Sequence, residues 1–144
     1  MNKFLLSVII PVFNEEKNIT PLIKTLLSIL KNYQYEVIFI DDGSTDKTAD
    51  EIKKYSFKNK NIKLISFTRN FGHQMALTAG YQFAKGDCVV SLDADLQDPP
   101  EIIPQMIKKW QKGAKIVYAK RERREGESFF KKQTAYFFYK IINF

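Results

Sequence analysis

The chain has 144 residues, 44% of them hydrophobic and 27% charged, which suits one ordinary globular domain and excludes a disordered segment. Its net charge of +7 is unevenly placed: residues 1–107 carry 12 Lys/Arg against 13 Asp/Glu, and residues 108–144 carry 11 against 3. The single cysteine, Cys88, cannot form an internal disulfide and fits a reducing compartment as a small buried apolar residue.

From the amino end, Leu5 to Val12 is an apolar run that reads as a first strand, closed by Pro11-Val12-Phe13-Asn14. It is a poor secretory signal, because Pro11 and Asn14 end the run and no small-residue cleavage site follows. Glu15 to Leu30 has helical periodicity through Ile19, Leu22, Ile23, Leu26, Leu27 and Leu30. Asn14 is the expected N-cap, and Pro21 suggests that the regular helix begins near Thr20. Glu36 to Ile40 is a second strand, ending in the turn residues Asp41-Asp42-Gly43-Ser44-Thr45-Asp46. A helix is expected from about Lys47 to Tyr55 and a third strand from Ile62 to Phe67. Phe71 to Ala84 reads as a helix closed by Gly86, and Asp87 to Leu92 as a fourth strand. Pro100 to Gln111 is a helix stopped by Gly113, and Ala114 to Ala119 a fifth strand.

Five strands alternating with four helices imply right-handed βαβ crossovers and a mainly parallel sheet, an α/β fold. No stretch of about 18 apolar residues occurs, so no transmembrane helix is expected. Residues 128–144 hold 7 of the chain's 20 aromatics. On a helical wheel Phe130, Phe137, Phe138, Ile141, Ile142 and Phe144 share one face, with Lys132, Gln133, Lys140 and Asn143 opposite. This is the pattern of an interfacial amphipathic helix first, with a core-facing helix next and a partner-binding one last.

The strand ends concentrate acids. Glu15 and Glu16, Asp41 and Asp42, and Asp93 and Asp95 follow strands one, two and four, and a parallel sheet gathers its carboxyl ends along one edge where ligands bind. These acids are therefore expected in one cleft, where a cation or donor groups must offset their repulsion. Asp93 and Asp95, two residues apart, suit a hard divalent cation that also binds substrate phosphates. The cluster Lys120-Arg121-Glu122-Arg123-Arg124, after strand five, is either a solvated loop or a fork for phosphate oxygens. His73, the only histidine, follows strand three and is assigned a structural role near a helix start, with no second His or Cys to make a zinc site. Neither a dinucleotide-binding G-x-G-x-x-G after strand one nor a P-loop is present. The acidic strand ends also argue against a nucleic-acid partner.

Val8 to Glu16, Asp41 to Asp46 and Asp93 to Pro100 together resemble glycosyltransferase family 2. Arg69-Asn70-Phe71-Gly72-His73-Gln74 and Arg124-Glu125-Gly126-Glu127-Ser128 look like its polyprenyl-phosphate branch. The resemblance implies a GT-A fold, a Rossmann-like three-layer sandwich, with residues 1–127 as the nucleotide-sugar domain and 128–144 as the start of a membrane-interfacial helix. It implies that Pro11, Phe13 and Glu15 line the nucleotide pocket, with Asp42 near the base and Asp93 and Ala94 on the nucleotide. It implies Asp95 and Gln97 as ligands of Mg²⁺ or Mn²⁺ with Asp93 close by, and Arg121 facing the diphosphate. Asp93, Asp95 and Arg121 are then the catalytic set. The implied reaction is inverting transfer of a hexose, glucose from UDP-glucose first, to a polyprenyl phosphate at the cytoplasmic face of the membrane. Members of this branch run well beyond 144 residues. The sequence is therefore expected to hold the donor half, a fragment that binds nucleotide sugar without turnover being the alternative. Oligomeric state is open, a homo-oligomer included.

Overall fold

The computed structural model describes residues 4–95, 97 and 99–119. Four strands form one parallel sheet: β1 (Leu5–Val12), β2 (Gln34–Asp41), β3 (Ile62–Ser66) and β4 (Cys88–Ser91), in the order β3-β2-β1-β4. The helices are α1 (Glu16–Leu30), α2 (Thr48–Ser56), α3 (His73–Phe83) and α4 (Ile103–Gln111), the last entered through a 3₁₀ turn over Pro100–Ile102.

The strand alternation sorts the core into two layers. Leu6, Val8, Ile10 and Val12 of β1, with Val37 and Phe39 of β2, pack against Ile19, Leu22, Ile23, Leu26 and Leu30 of α1 and against Ile52, Ile103 and Ile107. On the other side, Ile9, Ile38 and Ile40 pack against Ala76 of α3. Buried on both faces, β1 and β2 read as continuous apolar runs rather than alternating ones. The result is the expected three-layer α/β sandwich.

Several local expectations are corrected. α1 runs from Glu16, with Pro21 inside it. Pro21 is exposed, so the Lys17 carbonyl that loses its N–H partner can face water, and the buried apolar stripe outweighs one lost bond. Asn14 is not the N-cap: Glu15 holds that position, and Asn14 takes a left-handed backbone (φ 55°). Gly86 does not close α3, which already ends in extended Ala84. It instead allows a close approach, since a Cβ there would stand 2.6 Å from the Ser7 nitrogen. Residues 114–119 form no strand; Ile116 and Tyr118 are 86% and 80% exposed. A strand needs a hydrogen-bonded neighbour, and among the described residues β4 pairs only with β1.

Candidate functional site

The carboxyl ends of the strands open into a cleft of about 290 Å³. The β1 end supplies Pro11, Val12, Phe13 and Glu15; the β2 end supplies Asp42; the β4 end supplies Asp93, Ala94 and Asp95. Seven residues expected from the sequence, Pro11, Phe13, Glu15, Asp42, Asp93, Ala94 and Asp95, therefore meet in one place. Asn70, Gly72, His73 and Ala76, from the β3 end and the first turn of α3, complete the wall. Sequence reasoning passed over these four as site residues. The signal was available: the Arg69–Gln74 motif follows a strand of the same parallel sheet, so it ends on the same edge.

Not every strand-end acid joins the cleft. Asp41 is buried and accepts a hydrogen bond from the Ser44 N–H at 3.0 Å. Glu16 turns away and accepts from the Lys47 N–H at 3.2 Å. Neighbouring residues at a strand end point to opposite sides, so Asp42 can face the cleft only if Asp41 does not. Asp42 is itself buried, and its two oxygens accept the Phe71 and Gly72 N–H groups at 2.7 and 2.9 Å. It thereby ties the β3 loop to the β2 loop. Gly43 lets those loops meet: its φ is 74°, and a Cβ there would stand 2.4 Å from the Arg69 carbonyl carbon.

Among the described residues, the lining carries four carboxylates and no Lys or Arg. Glu15 accepts from Asn18 Nδ2 at 2.6 Å, and Asp95 Oδ1 accepts from the Gln97 N–H at 3.0 Å. Asp93 stands 3.8 Å from His73 Nε2, with both side chains about half exposed. His73 is thus a cleft residue as well as the first residue of α3, more than the structural role expected of it. Such a cleft favours a cation, or a ligand rich in N–H and O–H donors.

Among the described residues, no three His, Cys, Asp or Glu side chains come close enough to hold a metal by themselves. Asp93 and Asp95 offer two hard oxygen donors. That fits a divalent ion completed by waters and substrate phosphates rather than an all-protein cage. Gln97 is not a lining residue of the cleft. Arg121, the basic cluster around it and residues 128–144 lie outside the described residues.

A family profile, Glycosyl transferase family 2, matches residues 7–144. The uncharacterized glycosyltransferase YkcC of Bacillus subtilis is 45% identical over 139 residues, 95% of this chain and 43% of that protein. The bactoprenol glucosyl transferase of Shigella phage SfV is 46% identical over 140 residues, 96% of this chain and 46% of that protein. The chain thus spans somewhat under half the length of these relatives. Among solved structures, the mannosyltransferase PcManGT from Pyrobaculum calidifontis, in complex with GDP-Man and Mn²⁺, superposes with a TM-score of 0.69 at 24% identity. The match covers 84% of this chain and 37% of that one. S. aureus TarS in complex with UDP-GlcNAc gives a TM-score of 0.57 at 31% identity, covering 71% and 32%.

Proposed function

Because the chain belongs to glycosyl transferase family 2, we propose that it is the donor-binding part of an enzyme that moves a hexose from a nucleotide sugar to a polyprenyl phosphate. One observation carries this reading: acids from three strand ends, Glu15, Asp42, Asp93 and Asp95, share a single cleft of about 290 Å³. The bactoprenol glucosyl transferases among its relatives favour glucose and a polyprenyl acceptor, with UDP-glucose the first donor to test.

Phe13, beside Pro11 at the β1 end, offers an apolar surface to the base and ribose, and Glu15 and Asp42 accept their N–H and O–H groups. Asp93 and Asp95 would hold Mg²⁺ or Mn²⁺, whose charge would offset that of the donor diphosphate. Ala94, small and buried between them, leaves room for the nucleotide. Arg121, by resemblance, adds a guanidinium fork to the diphosphate. The acceptor needs little help from a protein base, because a phosphate monoester is largely ionised at neutral pH. Its oxygen forms the new bond to the anomeric carbon from the side opposite the leaving group. The bond to the donor diphosphate breaks, the nucleoside diphosphate keeps the electron pair, and the anomeric centre inverts. The basic, aromatic segment 128–144 is proposed to bring the site to the cytoplasmic surface of the membrane. Among the described residues no helix is long and apolar enough to cross one.

The second reading is a module that binds nucleotide sugar without turnover, to which the same acidic cleft is suited. Calorimetric titration of UDP-glucose into the chain, with Mn²⁺ or Mg²⁺ and again with EDTA, tests the first step. Metal-dependent binding is expected, and absence of binding to both UDP-glucose and GDP-mannose by a folded chain refutes it. Transfer to polyprenyl phosphate then separates enzyme from binding module.

A further inference from the structure

Five residues beside the cleft do not line it, yet they join the β1 and β2 loops in two adjacent hydrogen-bonded sets: Asn14 with Ser44 and Thr45, and Asp46 and Thr48 with the Glu15 and Glu16 N–H groups. The Asn14 N–H donates to Ser44 Oγ at 2.9 Å, and Asn14 Oδ1 accepts the Thr45 N–H at 2.8 Å. The Glu15 N–H donates to Thr48 Oγ1 at 2.8 Å, and the Glu16 N–H to Asp46 Oδ2 at 3.2 Å. In return, Glu16 accepts the Lys47 N–H. The first N–H groups of α1 are therefore capped by the β2 loop, and the Thr45 and Lys47 N–H groups before α2 by Asn14 and Glu16, while the Thr48 N–H is capped by Asp46 of its own loop. Neither helix carries a side-chain cap at its own N-cap position. Burial pushes the Asp46 carboxyl up, but the Thr48 hydroxyl and the Thr48 and Glu16 N–H groups outweigh that and hold it below its usual range.

We propose that Asn14 and Asp46 are positioning residues for the donor cleft, bracing the β1 and β2 loops so that Glu15 and Asp42 face one ligand. The brace continues through Asp42, which holds the Phe71 and Gly72 N–H groups. Three of the four cleft walls are then one prefolded unit, and a ligand does not have to order them on binding. Asn14 is suited to its place because its short amide tolerates the left-handed backbone while its oxygen reaches Thr45. The assignment rests on the donor-binding reading above, whereas the brace itself is independent of any ligand.

The test uses this chain with Asn14→Gly, which keeps the backbone conformation and removes the side chain, and Asn14→Asp, which keeps the acceptor oxygen. Amide hydrogen exchange is followed at Thr45, Phe71 and Gly72 without ligand, and UDP-glucose affinity is titrated with Mn²⁺. Asn14→Gly is expected to speed exchange at all three amides and to weaken donor binding about tenfold, the scale of one or two lost hydrogen bonds. Asn14→Asp is expected to restore both to within about threefold. A purely structural residue would lower the melting temperature and leave the affinity of the folded fraction unchanged. That result, or unchanged exchange at Phe71 and Gly72 in Asn14→Gly, overturns the proposal. If the parent chain binds no nucleotide, the donor reading fails, and the exchange pattern alone decides whether Asn14 sets the cleft wall.

Discussion

Glu36, at one end of the sheet, and Asp93 and Asp95, at the other, are held in opposite ways. Towards the amino ends of the strands, Glu36 is 4% exposed and fully engaged. Ser7 Oγ and Lys63 Nζ each donate to it at 2.5 Å, and the Lys85 N–H at 2.7 Å. The Gly86 N–H in turn donates to Ser7 Oγ, closing the set. At the carboxyl ends, Asp93 and Asp95 are exposed and line the cleft. A carboxylate whose partners are all supplied by the chain holds the fold together. Carboxylates gathered from distant segments with valences left over are waiting for a ligand.

The largest effect that would separate the two ends is a stability effect. Glu36→Ala removes three donors' common acceptor and leaves Ser7 and the Lys85 N–H unmatched inside the protein. A loss of about 3 kcal/mol is expected, discounted for the partly exposed Lys63, and a fall in melting temperature of about 10 °C. Donor affinity of the folded fraction should not change. Scanning calorimetry beside titration checks both, and a loss of affinity at constant stability would erase the distinction.

Next in size is the reverse case. Asp95→Asn keeps the side-chain oxygen that accepts the Gln97 N–H but removes a charge from the proposed metal site. Metal-dependent binding of UDP-glucose should weaken by about 100-fold or more, while the melting temperature holds or rises slightly as repulsion with Asp93 is relieved. Unaltered binding would move the metal away from the β4 loop.

The contrast also explains what was legible in the sequence. The apolar runs of β1 and β2 and the stripe of α1 announce themselves, because burial on both faces or on one stripe fixes residue type at fixed spacing. The cleft acids were readable for a topological reason, since a parallel sheet puts every strand's carboxyl end on one edge. What the sequence did not reveal depends on pairing across long separations. Nothing local says that Asn14 reaches Thr45 rather than its own helix, or that Glu36 meets Ser7 and Lys63. Gly86 looks like a helix terminator until β1 is placed against it. Residues 114–119 look like a strand because their composition is right, yet composition supplies no partner. The inclusion of Asn70, Gly72 and His73 in the cleft was within reach of the same topological argument and was not drawn from it.

The smallest expected effect sharpens the comparison through pH. Burial pushes the Glu36 carboxyl up, but hydrogen bonds from Lys63, Ser7 and the Lys85 N–H, with the Lys63 charge, outweigh it and hold it below the ordinary glutamate value of 4.5. A folded-state value below the unfolded one means that the unfolded chain takes up the proton first as pH falls. The stabilisation is therefore complete well above 4.5 and is lost as pH drops through the folded value. Urea midpoints of the parent chain and of Glu36→Gln, measured from pH 7 down to about pH 3, should converge as pH falls. Asp46, also held low and with an ordinary value of 3.8, should give the same convergence for Asp46→Asn in a more acidic window. A gap between parent and Glu36→Gln that stays constant with pH would mean that shape and neutral hydrogen bonding, not charge, make Glu36 structural. The distinction between engaged and waiting acids would then have to rest on geometry alone.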